Sequence, residues 1–319
     1  MNQLAIKSAV LAALGIITAP AMATGLVSIP TTGFTVSAST AQPSGGISAY
    51  TLCNRTGNYG PWYGSNNSTP PSSTANNTCA VFPANTLTAP ENGFTLGLYN
   101  VRDMVVNNSY TSGSSITIGS VIDYIWRNST TSMCIFGTRF SMRNTDWNKT
   151  VAGMQTFEIN DFARNGLPNS TVTAGYYLTS NSDEVLFRIG RTFTSVQHRV
   201  GIDLDLDPTD VAEGYYDQPL SYLGASTAAI NGVEAVVDYP PDVPTTLQQS
   251  ALINTEWIDF STDVNYLDDD GASMKDSSLL YVKMPCSAVP TTPTGSYRFR
   301  QTGQMEEPWV EIIMPGFKP

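Results

Sequence analysis

The sequence predicts an all-β protein, an antiparallel β-sandwich or jelly roll of about ten to fourteen short strands with few short helices. Three observations carry that expectation. Short runs alternate apolar with polar residues and are rich in β-branched and aromatic types. Gly, Pro, Asn or Ser bounds these runs, and in the middle of the chain they recur about every ten residues, the spacing of antiparallel meanders. Polarity comes from Ser, Thr and Asn rather than from charge, since 13% of residues are charged and 41% hydrophobic. Those small polar types suit loops and the solvent faces of strands better than helix interiors.

In chain order the expected strands are GFTVSAS (33–39), GFTLGLYNVR (93–102), SSITIGSVIDYIWR (114–127), MCIFGTRFSMR (133–143), STVTAGYYLTS (170–180) and EVLFRIGRTF (184–193). HRVGIDLDL (198–206), SLLYVKM (278–284), SYRFRQT (296–302) and WVEIIM (309–314) follow. The helical period is best matched by VAGMQTFEINDFA (151–163) and TTLQQSALI (245–253), and both windows are short. Residues 54–78 form a low-complexity polar loop around Trp62 and Tyr63, and proline density at 239–244 marks a seam where no strand can run. One large β domain over residues 24–319 is expected in preference to two separable ones, because a disulfide is expected to bridge that seam.

The N-terminus has the pattern of a secretory signal peptide over residues 1–23. Lys7 precedes an apolar run from Ala9 to Ile17, which is too short to span a bilayer, and Ala21-Met22-Ala23 supplies a small-residue cleavage site. No later stretch has the length of a membrane helix, so no integral membrane segment is expected. The chain is therefore expected to be exported, to the extracellular space, the cell surface or the periplasm.

Four cysteines, Cys53, Cys79, Cys134 and Cys286, are widely spaced, and none forms a C-x-x-C pair. With one histidine in the chain, zinc ligation is disfavoured and two disulfides are expected. Three pairings are possible. Cys53–Cys79 is favoured because it ties down the polar loop between them, which leaves Cys134–Cys286 to join distant strands.

The formal net charge is −11, without a cluster of lysine or arginine. Nucleic-acid partners are excluded, because a duplex demands a basic footprint that displaces counterions. Catalytic signatures are missing as well. There is no G-x-S-x-G elbow, no phosphate-binding glycine loop and no set of histidine ligands. Acid–base glycoside hydrolysis survives as a chemistry, since it needs only two carboxylates at a suitable separation. Glu256 beside Trp257, Asp217 near Tyr215 and Tyr216, and Glu306 and Glu307 before Trp309 are the available carboxylate–aromatic neighbours.

Two acidic clusters are candidate calcium ligands. In the strand expected at 198–206, Asp203 and Asp205 share a face with Asp207, while Ile202, Leu204 and Leu206 take the other. Pro208 ends that strand and Asp210 falls in the turn. Carboxylates in one row repel unless solvent, an arginine or a calcium ion neutralises them. The run departs from the EF-hand pattern, with Pro208 at the glycine position and Gly214 at the glutamate position. Asp268 and Asp270 lie in a second acidic turn. His198 falls on the parity opposite to Asp203, so no histidine–carboxylate catalytic pair is expected. Eight N-x-S/T triplets, at Asn54, Asn66, Asn67, Asn76, Asn107, Asn128, Asn148 and Asn169, follow from the Ser, Thr and Asn content itself.

The functional expectation is an exported, non-enzymatic surface or extracellular protein, structural or adhesive, acting through sheet faces and loops. Trp62 and Tyr63 are its candidate ligand contacts. Its partners would be a protein or glycan at the cell surface, or a second copy in self-association. The alternative is a carbohydrate-active protein, either a binding module or an acid/base glycosidase or lyase.

Overall fold

The computed structural model describes residues 25–36, 46–53, 70–74, 77–180, 183–186, 188–193, 253–267, 274–286, 290–301 and 310–319. They contain sixteen strands, numbered in chain order, and no helix. Two sheets pack face to face as a β-sandwich. The number of strands exceeds the expected range because several have only two or three residues.

The larger sheet contains β1 (Val27–Ile29), β5 (Thr95–Val106), β6 (Ile116–Asn128), β7 (Met133–Met142), β9 (Val172–Tyr177) and β14 (Leu279–Pro285). Their spatial order is β1-β9-β14-β7-β6-β5, every pairing antiparallel. Two short strands, β10 (Asp183–Glu184) and β13 (Asp276–Ser277), continue the sheet beside the end of β7. The smaller sheet runs β16-β15-β8-β12-β11-β4. Its strands are β4 (Tyr50–Leu52), β8 (Ile159–Asn165), β11 (Arg188–Gly190), β12 (Trp257–Val264), β15 (Tyr297–Gln301) and β16 (Val310–Met314). A separate ribbon pairs β2 (Phe34–Val36) with β3 (Gly46–Ser48).

Alternation explains the core. Along β7, Phe136 and Phe140 point between the sheets, whereas Arg139 and Ser141 point away from it, as a period of two requires. Opposite them, one row of the smaller sheet carries Ile189, Phe260, Phe162, Phe299 and Ile312 on five consecutive strands. Phe162 stacks on Phe260 and Phe299, and Phe140 meets Phe162 and Phe299 at centroid distances of 6.1 and 5.3 Å. Burying one such ring contributes about 1.5–3 kcal/mol.

The outer face of the larger sheet is covered too. Trp126, Tyr124, Ile135, Leu279 and Tyr281 form a second apolar cluster with Val81, and Phe94 and Leu96 pack against it. The Trp126 indole N–H donates to the Leu87 carbonyl at 2.9 Å, fixing the covering segment. Gly137 lies beneath the Trp126 ring, where a Cβ would stand 2.6 Å from a ring carbon.

The helical expectation for 151–163 is corrected. Val151 and Met154 are exposed in a turn that Trp147 closes by donating its backbone N–H to the Gln155 carbonyl at 3.0 Å. Residues from Ile159 onward are β8, paired on both sides. Apolar residues three apart across a turn-to-strand junction imitate a helical stripe. The window 245–253 and the seam at 239–244 lie outside the described residues, apart from Ile253.

Cys53 is bonded to Cys79 and Cys134 to Cys286, the pairing favoured from chain order. The Cys134–Cys286 bond joins β7 to β14, strands distant in sequence as expected. Cys134 and Cys286 sit on neighbouring strand ends, since Met284 already opposes Cys134 in the β14–β7 ladder. The Cys53–Cys79 bond is the one that joins the two sheets. Cys53 follows β4 of the smaller sheet, while Ala80 bridges to Tyr176 on β9 of the larger one.

Candidate functional site: an open sheet edge and two buried charge networks

A polar row crosses the outer face of the smaller sheet. Arg188, Ser261, Asp161, Arg300 and Glu311 are successive cross-strand partners on β11, β12, β8, β15 and β16. Each strand supplies one member, so the alternation that sends Phe260, Phe162 and Phe299 inward sends these residues outward. Asp161, Asp259, Arg188 and Arg300 nonetheless have no exposed surface.

Arg300 organises the row. Its Nη1 lies 3.1 Å from Asp161 and 3.6 Å from Asp259, its Nε donates to Glu311 at 2.9 Å, and its guanidinium covers the Phe193 ring at 4.5 Å. Burial alone would weaken its charge, but Asp161, Glu311 and Asp259 outweigh that and hold its pKa above the ordinary value. Asp259 is raised as well, to well above the carboxylate range, which for an acid disfavours the charge. Burial is the main cause, followed by the negative charge of Asp161. The contacts of Asp259 are long, 3.4 Å from the Tyr50 hydroxyl and 3.6 Å from Arg300, so its charge gains little from either. Arg188 lies over the Tyr50 ring at 4.5 Å and donates its Nε to Ser261 at 3.1 Å. Gly190 makes room for that ring, because a Cβ there would stand 2.5 Å from it. A carboxylic acid beside a carboxylate is capable of acid–base chemistry in an open groove. Here the pair is sealed, so the row serves as a charge ladder that ties five strands together.

A second network lies between the sheets. Asp123 on β6 accepts hydrogen bonds from the Tyr297 hydroxyl at 2.9 Å and from Thr138 at 3.1 Å, and forms an ion pair with Arg102 on β5. Arg164 is fully buried nearby, with its guanidinium 4.5 Å over the Phe136 ring and its Nη2 donating to the Phe317 carbonyl at 2.6 Å. Through Asp123 the end of the smaller sheet is locked to three strands of the larger one.

One strand is left open. Among the described residues β5 pairs only with β6, although it is twelve residues long. Leu98, Tyr99, Val101 and Val105 are 41–53% exposed along it. Bulges interrupt the β5–β6 register between Leu96 and Leu98 and between Met104 and Val105. The seven residues between them, Leu98 to Met104, run in unbroken register against Ile125 to Gly119. That segment presents a regular row of backbone N–H and C=O groups away from β6.

The residues singled out from the sequence are distributed differently. Trp62 and Tyr63, His198, the aspartates Asp203, Asp205, Asp207 and Asp210, and Asp268 and Asp270 lie outside the described residues. So do Asp217, Glu306 and Glu307. Glu256 is exposed, next to a half-buried Trp257 that packs on Phe193 at 4.4 Å. Among the described residues, no three His, Cys, Asp or Glu side chains converge as a metal site requires, and no helix is long and apolar enough to cross a membrane. The charge ladder was not legible beforehand. SYRFRQT reads as aromatic-inside, arginine-outside alternation, and nothing local says that the outside is covered. Comparison with protein-family models, curated proteins and solved structures finds no match to this chain.

Proposed function

We propose that this is an exported, non-enzymatic protein of the cell surface or extracellular space, structural or adhesive, that works through its sheet edges and loops. The open strand β5 carries the reading. Sandwich proteins blunt their edges with short strands, prolines, bulges, inward-pointing charges or covering segments, and β5 has bulges only at the two ends of its regular stretch. Here a twelve-residue edge keeps four large apolar side chains in solvent. The two disulfides add support, because they suggest an oxidising environment. The carboxylates that approach one another, Asp161 and Asp259, are sealed from substrate, which favours a binding or structural role over hydrolysis.

Fractionation of producing cells tests the reading, together with a panel of immobilised glycans and surface proteins. The expected result is a chain starting near Thr24 in the surface or extracellular fraction, retained on a partner without turnover. Cytoplasmic protein with Met1 and free thiols would overturn it. So would polysaccharide cleavage abolished by a single Asp or Glu substitution.

A further inference from the structure

We infer that β5 is a self-association edge, on which a second copy of this chain adds its own β5 antiparallel about a two-fold axis through Val101. The inference deepens the surface-protein reading by naming the partner of that edge. Among the described residues the backbone donors and acceptors of β5 that face away from β6 have no strand partner, and another extended strand is the occupant that satisfies them in register. The charges of the strand are already engaged. Arg102 reaches inward to Asp123, and Asp103 pairs with Arg143 at 2.9 Å, so both charges on the edge are compensated within the chain. The segment Leu-Tyr-Asn-Val-Arg-Asp-Met has no net charge and no proline, the composition that favours strand-to-strand addition.

Self-complementarity selects the copy and the register. An axis perpendicular to the sheet keeps each core face on its own side, so opposing residues share parity, and the contact is isologous. Centring the pair on Val101 uses the whole stretch between the bulges. Leu98 then opposes Met104 of the second copy, Tyr99 opposes Asp103, Asn100 opposes Arg102, and Val101 opposes Val101. Like charges never face each other. An axis at Arg102 or Asp103 would place identical charges opposite each other, which is destabilising. An axis at Tyr99 or Asn100 would shorten the paired segment. The overall charge of −11 is spread over the molecule, and charges farther apart than about 8 Å are screened at physiological salt.

Sedimentation velocity on the purified, disulfide-bonded protein over about a hundredfold concentration range tests this, because a dimer must grow with concentration. Three variants read the register, each checked for an unchanged fold by circular dichroism. Val101→Lys places two ammonium groups face to face on the axis and is expected to weaken dimerisation at least tenfold. Tyr99→Lys is an equally exposed substitution on the same face, but it sets lysine against Asp103 of the other copy and is expected to leave a dimer. Val101→Cys is expected to give a disulfide-linked dimer on non-reducing gels. A wild-type monomer at every concentration would overturn the inference, as would equal behaviour of Val101→Lys and Tyr99→Lys. That failure would leave the surface reading standing, whereas cytoplasmic protein with free thiols would overturn the surface reading whatever the dimer measurement gives.

Discussion

Asp161 and Asp259 divide one guanidinium unequally across the neighbouring strands β8 and β12, at 3.1 Å and 3.6 Å from Arg300, and burial beside the Asp161 charge raises the pKa of Asp259 well above the carboxylate range. The division follows from geometry. Arg300 lies nearer to Asp161, and the interior does not tolerate two carboxylates side by side with one guanidinium.

A pH dependence follows from that division. An acid whose pKa is raised by folding binds its proton more tightly in the folded chain than in the unfolded one. The stability it contributes is complete below the unfolded value of about 3.9 and is lost as pH rises through the folded one. Melting temperatures measured upward from about pH 4 should therefore fall more steeply for the wild type than for Asp259→Asn, which cannot titrate. Parallel curves would show that Asp259 is ionised in the folded protein.

The two aspartates should also differ in cost. Asp259→Asn replaces an acid whose pKa burial raises with an amide of the same shape and is expected to change stability by less than about 1.5 kcal/mol. Asp161→Asn removes the nearer buried carboxylate of Arg300, leaving Glu311 as its partner at 2.9 Å, and is expected to cost about 3 kcal/mol, because breaking a buried pair leaves a charge under-compensated. Chemical denaturation of both variants decides between this order and its reverse.

The disulfides are expected to separate by location as well as by loop length. Chain-entropy arguments give about 3.5 kcal/mol for the Cys53–Cys79 separation of 26 residues and about 5 kcal/mol for the Cys134–Cys286 separation of 152. Cys134 and Cys286 are already neighbours in a hydrogen-bonded ladder, whereas Cys53–Cys79 joins the sheets. Replacing Cys53 and Cys79 by serine should therefore speed hydrogen exchange in β4 and β9 selectively, a local signature that loss of Cys134–Cys286 should not share.

Gly137→Ala should destabilise the outer cluster of the larger sheet. The added methyl would meet the Trp126 ring at 2.6 Å, and that ring is fixed by its bond to Leu87. Overpacking of this kind costs about 1–3 kcal/mol. A change in Trp126 fluorescence should accompany the fall in melting temperature.

Tyr297→Phe removes a hydroxyl that donates to buried Asp123 and keeps the ring in the core. The expected loss is about 1–3 kcal/mol, the cost of an unsatisfied buried acceptor. Asp123 retains Thr138 and Arg102, so the variant should remain folded for the equilibrium measurement.

The sequence by itself determined the all-β class, most strand positions and the presence of two disulfides, because those rest on local alternation and on counting; it favoured one of three pairings, and the structure shows that one. β7 and β15 are legible from their own residues, since Phe136 and Phe140 on β7, and Tyr297 and Phe299 on β15, fall at even spacings on one face. β8 and β12 are not. Their outer faces are buried as well as their inner ones, so INDFARN and WIDFSTDV carry aspartates where a two-faced strand would show solvent. Only the tertiary structure decided that Arg188, Ser261, Asp161, Arg300 and Glu311 form one row, because strands far apart in sequence must first be set side by side. It also decided that β5 is an edge. The alternation of β5 resembles that of a paired strand, and which strand lacks a neighbour is a property of strand order, which local side-chain chemistry does not encode.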